Sequence, residues 1–220
     1  MLNLFLSPLQ IILCSISLLC SLIYFFTLAK RPYKCDFIFK GLSIATLAVV
    51  AVISLHNVTG ILLLLSFLFA TSGDISLTFT NEKFFLIGLV SFLIAHIFTS
   101  ILFLHLLFFP FNINLMQIGF ILFFILFALI MWNLLKSSLG NFKIPVIFYM
   151  FFLIAMGVTG VLAKANNIYI VCGVCLFIVS DSMLAWQKFK KPFYGADYLI
   201  WATYYAAQVL VPLGLILSSR

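Results

Sequence analysis

The chain has 220 residues, of which 65% are hydrophobic and only 8% charged, with 27 phenylalanines and a mean hydropathy of +1.30. That composition excludes an ordinary water-soluble domain and points to an integral membrane protein. The net charge of +7 would suit a nucleic-acid binder, but the basic residues sit beside the apolar stretches as topological signals, so no nucleic-acid partner is expected.

A spanning helix needs about 20 mostly apolar residues, and charges, prolines and polar clusters divide the chain into eight such stretches. The pattern predicts helices near 5–29, 39–55, 58–79, 84–106, 115–135, 143–163, 167–187 and 196–217. The expected fold is therefore all-α, a polytopic helix bundle forming a single transmembrane domain over 1–220. The first stretch is long and lacks a basic start, so it reads as a retained helix and not as a cleaved signal peptide. The second is the shortest and stops at His56-Asn57. Connections this brief leave no room for a soluble domain.

Charge sets the expected orientation. Lys30, Arg31, Lys34 and Lys40 follow the first stretch, Lys83 the third, Lys136 and Lys143 the fifth, and Lys188, Lys190 and Lys191 the seventh. Only Lys164 and Arg220 fall on the opposite side. Odd-to-even loops should then face the cytoplasm, with both termini on the non-cytoplasmic side of the inner membrane if the cell is bacterial. The five cysteines, Cys14, Cys20, Cys35, Cys172 and Cys175, suggest no disulfide framework, and the Cys172–Cys175 spacing reads as small residues at a helix interface.

Two carboxylates break the apolar pattern. Asp74 in Ser72-Gly73-Asp74 and Asp181 in Ser180-Asp181 lie inside spanning stretches, where an acid costs roughly 2.5–3.5 kcal/mol on insertion scales and marks a functional site. Each ends a similar run of apolar, then small polar residues, then Asp-x-x-Leu, which suggests a weak parallel repeat of four plus four helices. Asp74 precedes Lys83, and Asp181 precedes Lys188, by similar intervals, so both are expected roughly 10 Å inside the boundary at one depth. Two acids sharing a cavity suggest acid/base chemistry.

His96 and Gln208, deeper in the fourth and eighth stretches, are candidate cavity-lining residues, as are Tyr204 and Tyr205 one turn away from Gln208. Ser72 and Ser180 flank the acids. Any of these could equally serve an interhelical hydrogen bond. His56 and His105 belong near the other membrane face, so the three histidines lie at two depths and no histidine-rich metal centre is expected. No cofactor is called for, and a divalent ion between the two aspartates stays open.

These residues resemble a known family. Ser72-Gly73-Asp74-Ile75-Ser76-Leu77 with Phe85, Gly88, Phe92 and Ala95-His96, then Gly173, Ser180-Asp181-Ser182 and Leu184 with Thr203-Tyr204-Tyr205 and Gln208, are similar to the YhhN family of lysoplasmalogenases. Lys30-Arg31-Pro32 resembles the family's basic-proline turn. The resemblance implies hydrolysis of the vinyl-ether bond of lysoplasmalogens to a fatty aldehyde and glycerophosphoethanolamine or glycerophosphocholine, with a lysophospholipid substrate and membrane lipids as partners. The acids suit that reaction: a protonated carboxyl in an apolar site can act as general acid, and an ionised partner can stabilise an oxocarbenium-like cation and orient water. Lys188, Lys190 and Lys191 either attract the lipid phosphate or only set orientation. Trp186 and Tyr194 read as interface anchors.

Two other functions use paired membrane acids. A proton-coupled transporter of a lysolipid or small solute would protonate them in turn, but paired Gly/Pro breaks at matching positions are missing from the sequence. An intramembrane aspartyl protease would place Gly at Thr71 and Tyr at Ser180.

Overall fold

A computed structural model describes residues 7–31, 35–55, 57–107, 113–163 and 167–219. Pro32, Lys34, His56, Lys164 and Arg220 of the sequence reading lie outside them. The described elements are helical: α1 Pro8–Thr27, α2 Asp36–Ser54, α3 Asn57–Ser76, α4 Glu82–His105, α5 Leu115–Leu135, α6 Lys143–Leu162, α7 Ile168–Phe189 and α8 Ala196–Ser218. All eight are long and apolar enough to cross a bilayer, so the chain is a multi-pass membrane protein. The second helix starts earlier than the apolar pattern indicates, because Asp36 at its first turn complements the helix dipole and Lys40 is buried inside it.

The chain divides into two compact units, Met1–Phe98 and Thr99–Arg220, with the boundary inside α4. In the first unit α2 packs between α1 and α3. Gly41 makes the α2–α3 approach possible, since a Cβ there would stand 3.0 Å from the Ile75 side chain. On the other side of α3, a Cβ at Gly73 would meet the Phe92 ring of α4 at 2.7 Å, and Ser66 Oγ donates to the Ala95 carbonyl at 3.1 Å. In the second unit α7 packs on α8 and α6, and α6 on α5. A Cβ at Gly173 would lie 2.8 Å from the Val211 side chain. Small residues at these crossings let backbones close without a hydrophobic drive between helices.

Both units brace their first two helices with the same device. Ser7 caps α1 and Gln10 closes the capping box, while Gln10 Nε2 donates to Ser54 Oγ at the end of α2 at 2.7 Å. Asn114 caps α5 with Gln117 in the same box, and Gln117 Nε2 donates to the Val161 carbonyl at the end of α6 at 2.9 Å. The capping box satisfies the orphan N–H groups of a helix start, with the glutamine Oε1 as acceptor; the amide nitrogen of the same side chain then ties the neighbouring helix. Ser7 and Asn114, Gln10 and Gln117, and Ser54 and Val161 are each 107 positions apart (114 − 7, 117 − 10 and 161 − 54). In the second unit Asn167 adds a third brace, accepting from Tyr169 N and Ile170 N at the start of α7 and donating to the Gly214 carbonyl at 2.9 Å on α8.

Candidate active site

Asp74 and Asp181 are also 107 positions apart (181 − 74), and each occupies the third helix of its unit. Burial is nearly complete: Asp74 is 1% exposed and Asp181 7%. Each receives a donor from the second helix of its own unit, but the donors differ in kind.

In the first unit Lys40 Nζ lies 3.1 Å from Asp74 Oδ1. Lys40, 9% exposed, is an internal residue of α2 and not a loop charge. Tyr24 of α1 covers the pair, its ring centroid 5.9 Å from Lys40 Nζ and 5.6 Å from the Arg31 guanidinium carbon. Arg31 in turn pairs with Asp36 at 3.2 Å and reaches the Thr78 carbonyl at 3.4 Å, linking the turn after α1 to the turn after α3. Two acids and two bases are thus arranged around one phenol, so the cluster is neutral overall. Thr71, one turn before Asp74, holds a buried hydroxyl oxygen with no hydrogen-bond partner. A buried polar atom of that kind calls for a ligand or water.

In the second unit Tyr149 of α6 donates its hydroxyl to Asp181 Oδ2 at 2.6 Å, in a buried contact. On α8, Gln208 Nε2 donates to Tyr204 Oη at 2.9 Å. Tyr204 meets Phe177, one turn before Asp181, edge to face at 5.5 Å between centroids. Trp201 stacks on Tyr205 at 6.0 Å.

The structure sorts the remaining sequence candidates. Tyr204 and Gln208 come together as a buried hydrogen-bonded pair, and His96 is buried on α4 one turn beyond Phe92, on the face that meets α3 at Gly73. Ser180 Oγ donates to the Ile200 carbonyl at 3.0 Å, which makes it an α7–α8 tie. Ser72 is exposed, its carbonyl accepting from Ser76 Oγ, and it lies on the other side of α3 from the buried Asp74. Tyr205 is half-buried. Among the described residues no group of three His, Cys, Asp or Glu side chains could hold a metal.

One expectation changes in detail. Asp74 stands in the last turn of α3, which ends at Ser76, whereas Asp181 lies well before the end of α7 at Phe189. The interval from Asp74 to Lys83 is partly non-helical turn, so counting residues to the next lysine does not measure helical rise there. Lys40 and Tyr149 escaped the sequence reading: the first was grouped with topological charges, and the second was one tyrosine in an apolar run.

A protein-family model for the YhhN family matches residues 35–215, a stretch holding both aspartates and both donors. Over 46 residues the chain is 46% identical to the lysoplasmalogenase TMEM86B of Homo sapiens, covering 21% of this chain and 20% of that protein. The aligned segment therefore spans about a fifth of the human relative's length. No solved structure matches.

Proposed function

Because the chain belongs to the YhhN family, we propose that it is a lysoplasmalogenase, a hydrolase that cleaves the vinyl ether of lysoplasmalogens to a fatty aldehyde and glycerophosphoethanolamine or glycerophosphocholine. The observation that supports this reading best is the pair of carboxylates at a fixed offset, each buried in a spanning helix and each gripped at one oxygen by a donor from the adjoining helix. A scaffold gains nothing from two such costly groups. Vinyl-ether cleavage needs a proton donor, and a nearby anion favours the cation that follows.

In the proposed reaction a carboxyl protonates the alkenyl carbon away from the ether oxygen, the double-bond electrons form the new C–H bond, and an oxygen-stabilised cation develops. A carboxylate stabilises that cation, as paired acids do in glycoside cleavage. Water adds, and the hemiacetal collapses to aldehyde and alcohol. Tyr204 and Gln208 of the second unit line substrate space in this proposal, and Lys188, Lys190 and Lys191 attract the lipid phosphate. The proposed orientation places the odd-to-even loops in the cytoplasm, as the basic bias directs.

The test is incubation of purified protein with a lysoplasmenyl lipid and with its saturated alkyl-ether counterpart. Free aldehyde is expected from the first only. In heavy water the aldehyde should carry one deuterium next to its carbonyl, because the added proton comes from an exchangeable acid. Translocation of the intact lysolipid with no aldehyde would favour a transporter.

A further inference from the structure

We propose that the second unit carries a lipid site separate from its carboxylate: a groove between α5 and α6 holds one acyl chain of an anionic bilayer phospholipid, whose phosphate meets Lys136 and Lys143. The site stands apart from the hydrolase reading and does not depend on it.

The groove has a volume of about 650 Å³, within the range of ligand pockets, and its lining comes from α5 and α6 alone. On α5 it follows Ile125, Ala128 and Trp132, one stripe at helical spacing, and on α6 it runs from Ile147 to Thr159. The two helices touch where Phe124 meets Gly157, at which a Cβ would stand 3.1 Å from the ring. Beside that contact the small side chains of Ala128 and Ala155 leave the space open.

These walls suit hydrocarbon. Apart from the Trp132 indole, the polar group on the lining is the Thr159 hydroxyl, which donates to the Ala155 carbonyl of its own helix at 2.7 Å. Twelve residues separate Ile147 from Thr159 (159 − 147), about 18 Å of helical rise, against roughly 15 Å for one leaflet, half of the hydrocarbon core. A chain in the groove therefore runs from the interface toward the bilayer centre.

One end of the groove is charged. Lys136 caps the C-terminus of α5 and Lys143 opens α6, and both are exposed. Lys143 Nζ stands 5.9 Å from the Trp132 ring centroid, so the residue that closes the apolar lining also carries a cation. Lys136 Nζ donates to Asn133 Oδ1 at 2.8 Å, and Lys190 Nζ to Ser137 Oγ at 3.4 Å in the same turn. Among the described residues none of these three lysines pairs with a carboxylate. Ammonium groups at the mouth of a leaflet-deep apolar groove match a phosphate joined to a chain. A second copy of this chain fits worse, because in a two-fold assembly within one membrane the same lysines return at the same depth and face one another.

The groove and Asp181 use different faces of α6. Tyr149 donates to Asp181 from the buried face, whereas Ile147, Phe151 and Ala155 carry the groove, so a chain there lies away from the carboxylate. Within its unit α5 packs mainly on α6, and a lipid bridging the two helices would hold α5 in place.

The experiment uses the full chain in nanodiscs of phosphatidylcholine with a minor fraction of phosphatidylglycerol, each lipid in turn carrying bromines near the headgroup end of its chains to quench tryptophan. The difference between wild type and Trp132→Phe isolates Trp132. Brominated phosphatidylglycerol should quench it at a mole fraction about tenfold or more below that needed of brominated phosphatidylcholine. Lys136→Gln or Lys143→Gln alone should reduce this preference about fivefold, and the two together should erase it. Ala155→Phe, which fills the groove, should erase it with both lysines present. The thermal midpoint should rise with phosphatidylglycerol content in wild type and not in the double lysine variant. Equal quenching by the two lipids would overturn the site, as would a preference that survives loss of both lysines. Stronger quenching by a brominated lysophospholipid would give the groove to a single-chain substrate, and a dimer dissolved by Ala155→Phe would give it to a second copy; either result overturns the assignment.

Discussion

Lys40 of α2 and Asp74 of α3 form a buried ion pair at 3.1 Å, closed over by Tyr24 of α1. Stability and chemistry should part company at this pair. Removing one partner leaves an uncompensated buried charge and costs about 3–5 kcal/mol, whereas replacing both with apolar residues of similar volume is often neutral or stabilising. Lys40→Met alone should therefore lower the thermal midpoint sharply, and Lys40→Met with Asp74→Leu should recover it while remaining inactive. Thermal unfolding followed by tryptophan fluorescence in detergent, beside aldehyde release, reads both.

Asp181→Asn keeps size and polarity, so it should insert and fold, whereas Asp74→Asn keeps them but strands the Lys40 charge and should fold with a lowered thermal midpoint. Each should lose roughly 10²–10⁴ in turnover, as expected when a proton-transfer group is deleted. The double variant should be hardly worse than either single one, since groups acting as a unit are strongly non-additive. Multiplicative losses would show that the two acids serve separate events.

Lysolipids with a saturated alkyl ether or an ester at the same position should compete for binding but release no product, because neither has a carbon–carbon double bond to protonate. Comparable turnover of the ester would point to an ordinary lysophospholipase and would abandon acid catalysis at the vinyl ether.

Gly73→Ala and Gly173→Ala put a methyl group where the Phe92 ring stands at 2.7 Å and the Val211 side chain at 2.8 Å. Overpacking of this kind costs about 1–3 kcal/mol. Both variants should melt earlier, and Gly73→Ala, beside Asp74, should also lose activity out of proportion to its stability. Equal loss of activity in the two, at matched stability, would separate Gly73 from the site.

Cysteine labelling in intact cells should place residues 138 and 190 on the cytoplasmic side and residue 219 on the other, following the basic bias. Labelling of residue 190 from outside would invert the orientation of the whole chain.

The helices were legible because composition alone demands them, and their ends fell within a few residues of the apolar boundaries. Asp74 and Asp181 were legible for the same reason, as a charge in an apolar run has no cheap explanation. Their donors were not. Lys40 belongs to a run of basic residues after α1, and only the crossing of α2 over α3 at Gly41 turns it from a loop charge into a partner of Asp74. Tyr149 depends on which face α6 presents to α7, a fact held by packing between distant residues. Ser72 shows the converse: it neighbours Asp74 in sequence, yet helical periodicity sends it to the other side of α3. Nor could local sequence show that Gln10 and Gln117 would reach from their capping boxes to the ends of α2 and α6.

The constant interval of 107 positions has a chemical consequence. In a symmetric homodimer every residue is bound to be identical in both copies, so two acids related by symmetry would carry identical donors and compete for the same role. Here both copies are written in one chain. The position 107 after Lys40 is Ile147, and the position 107 before Tyr149 is Leu42, so the bracing amides are duplicated while the donors are not. Encoding the halves in tandem lets each acid take a different donor, an ammonium at Asp74 and a phenol at Asp181.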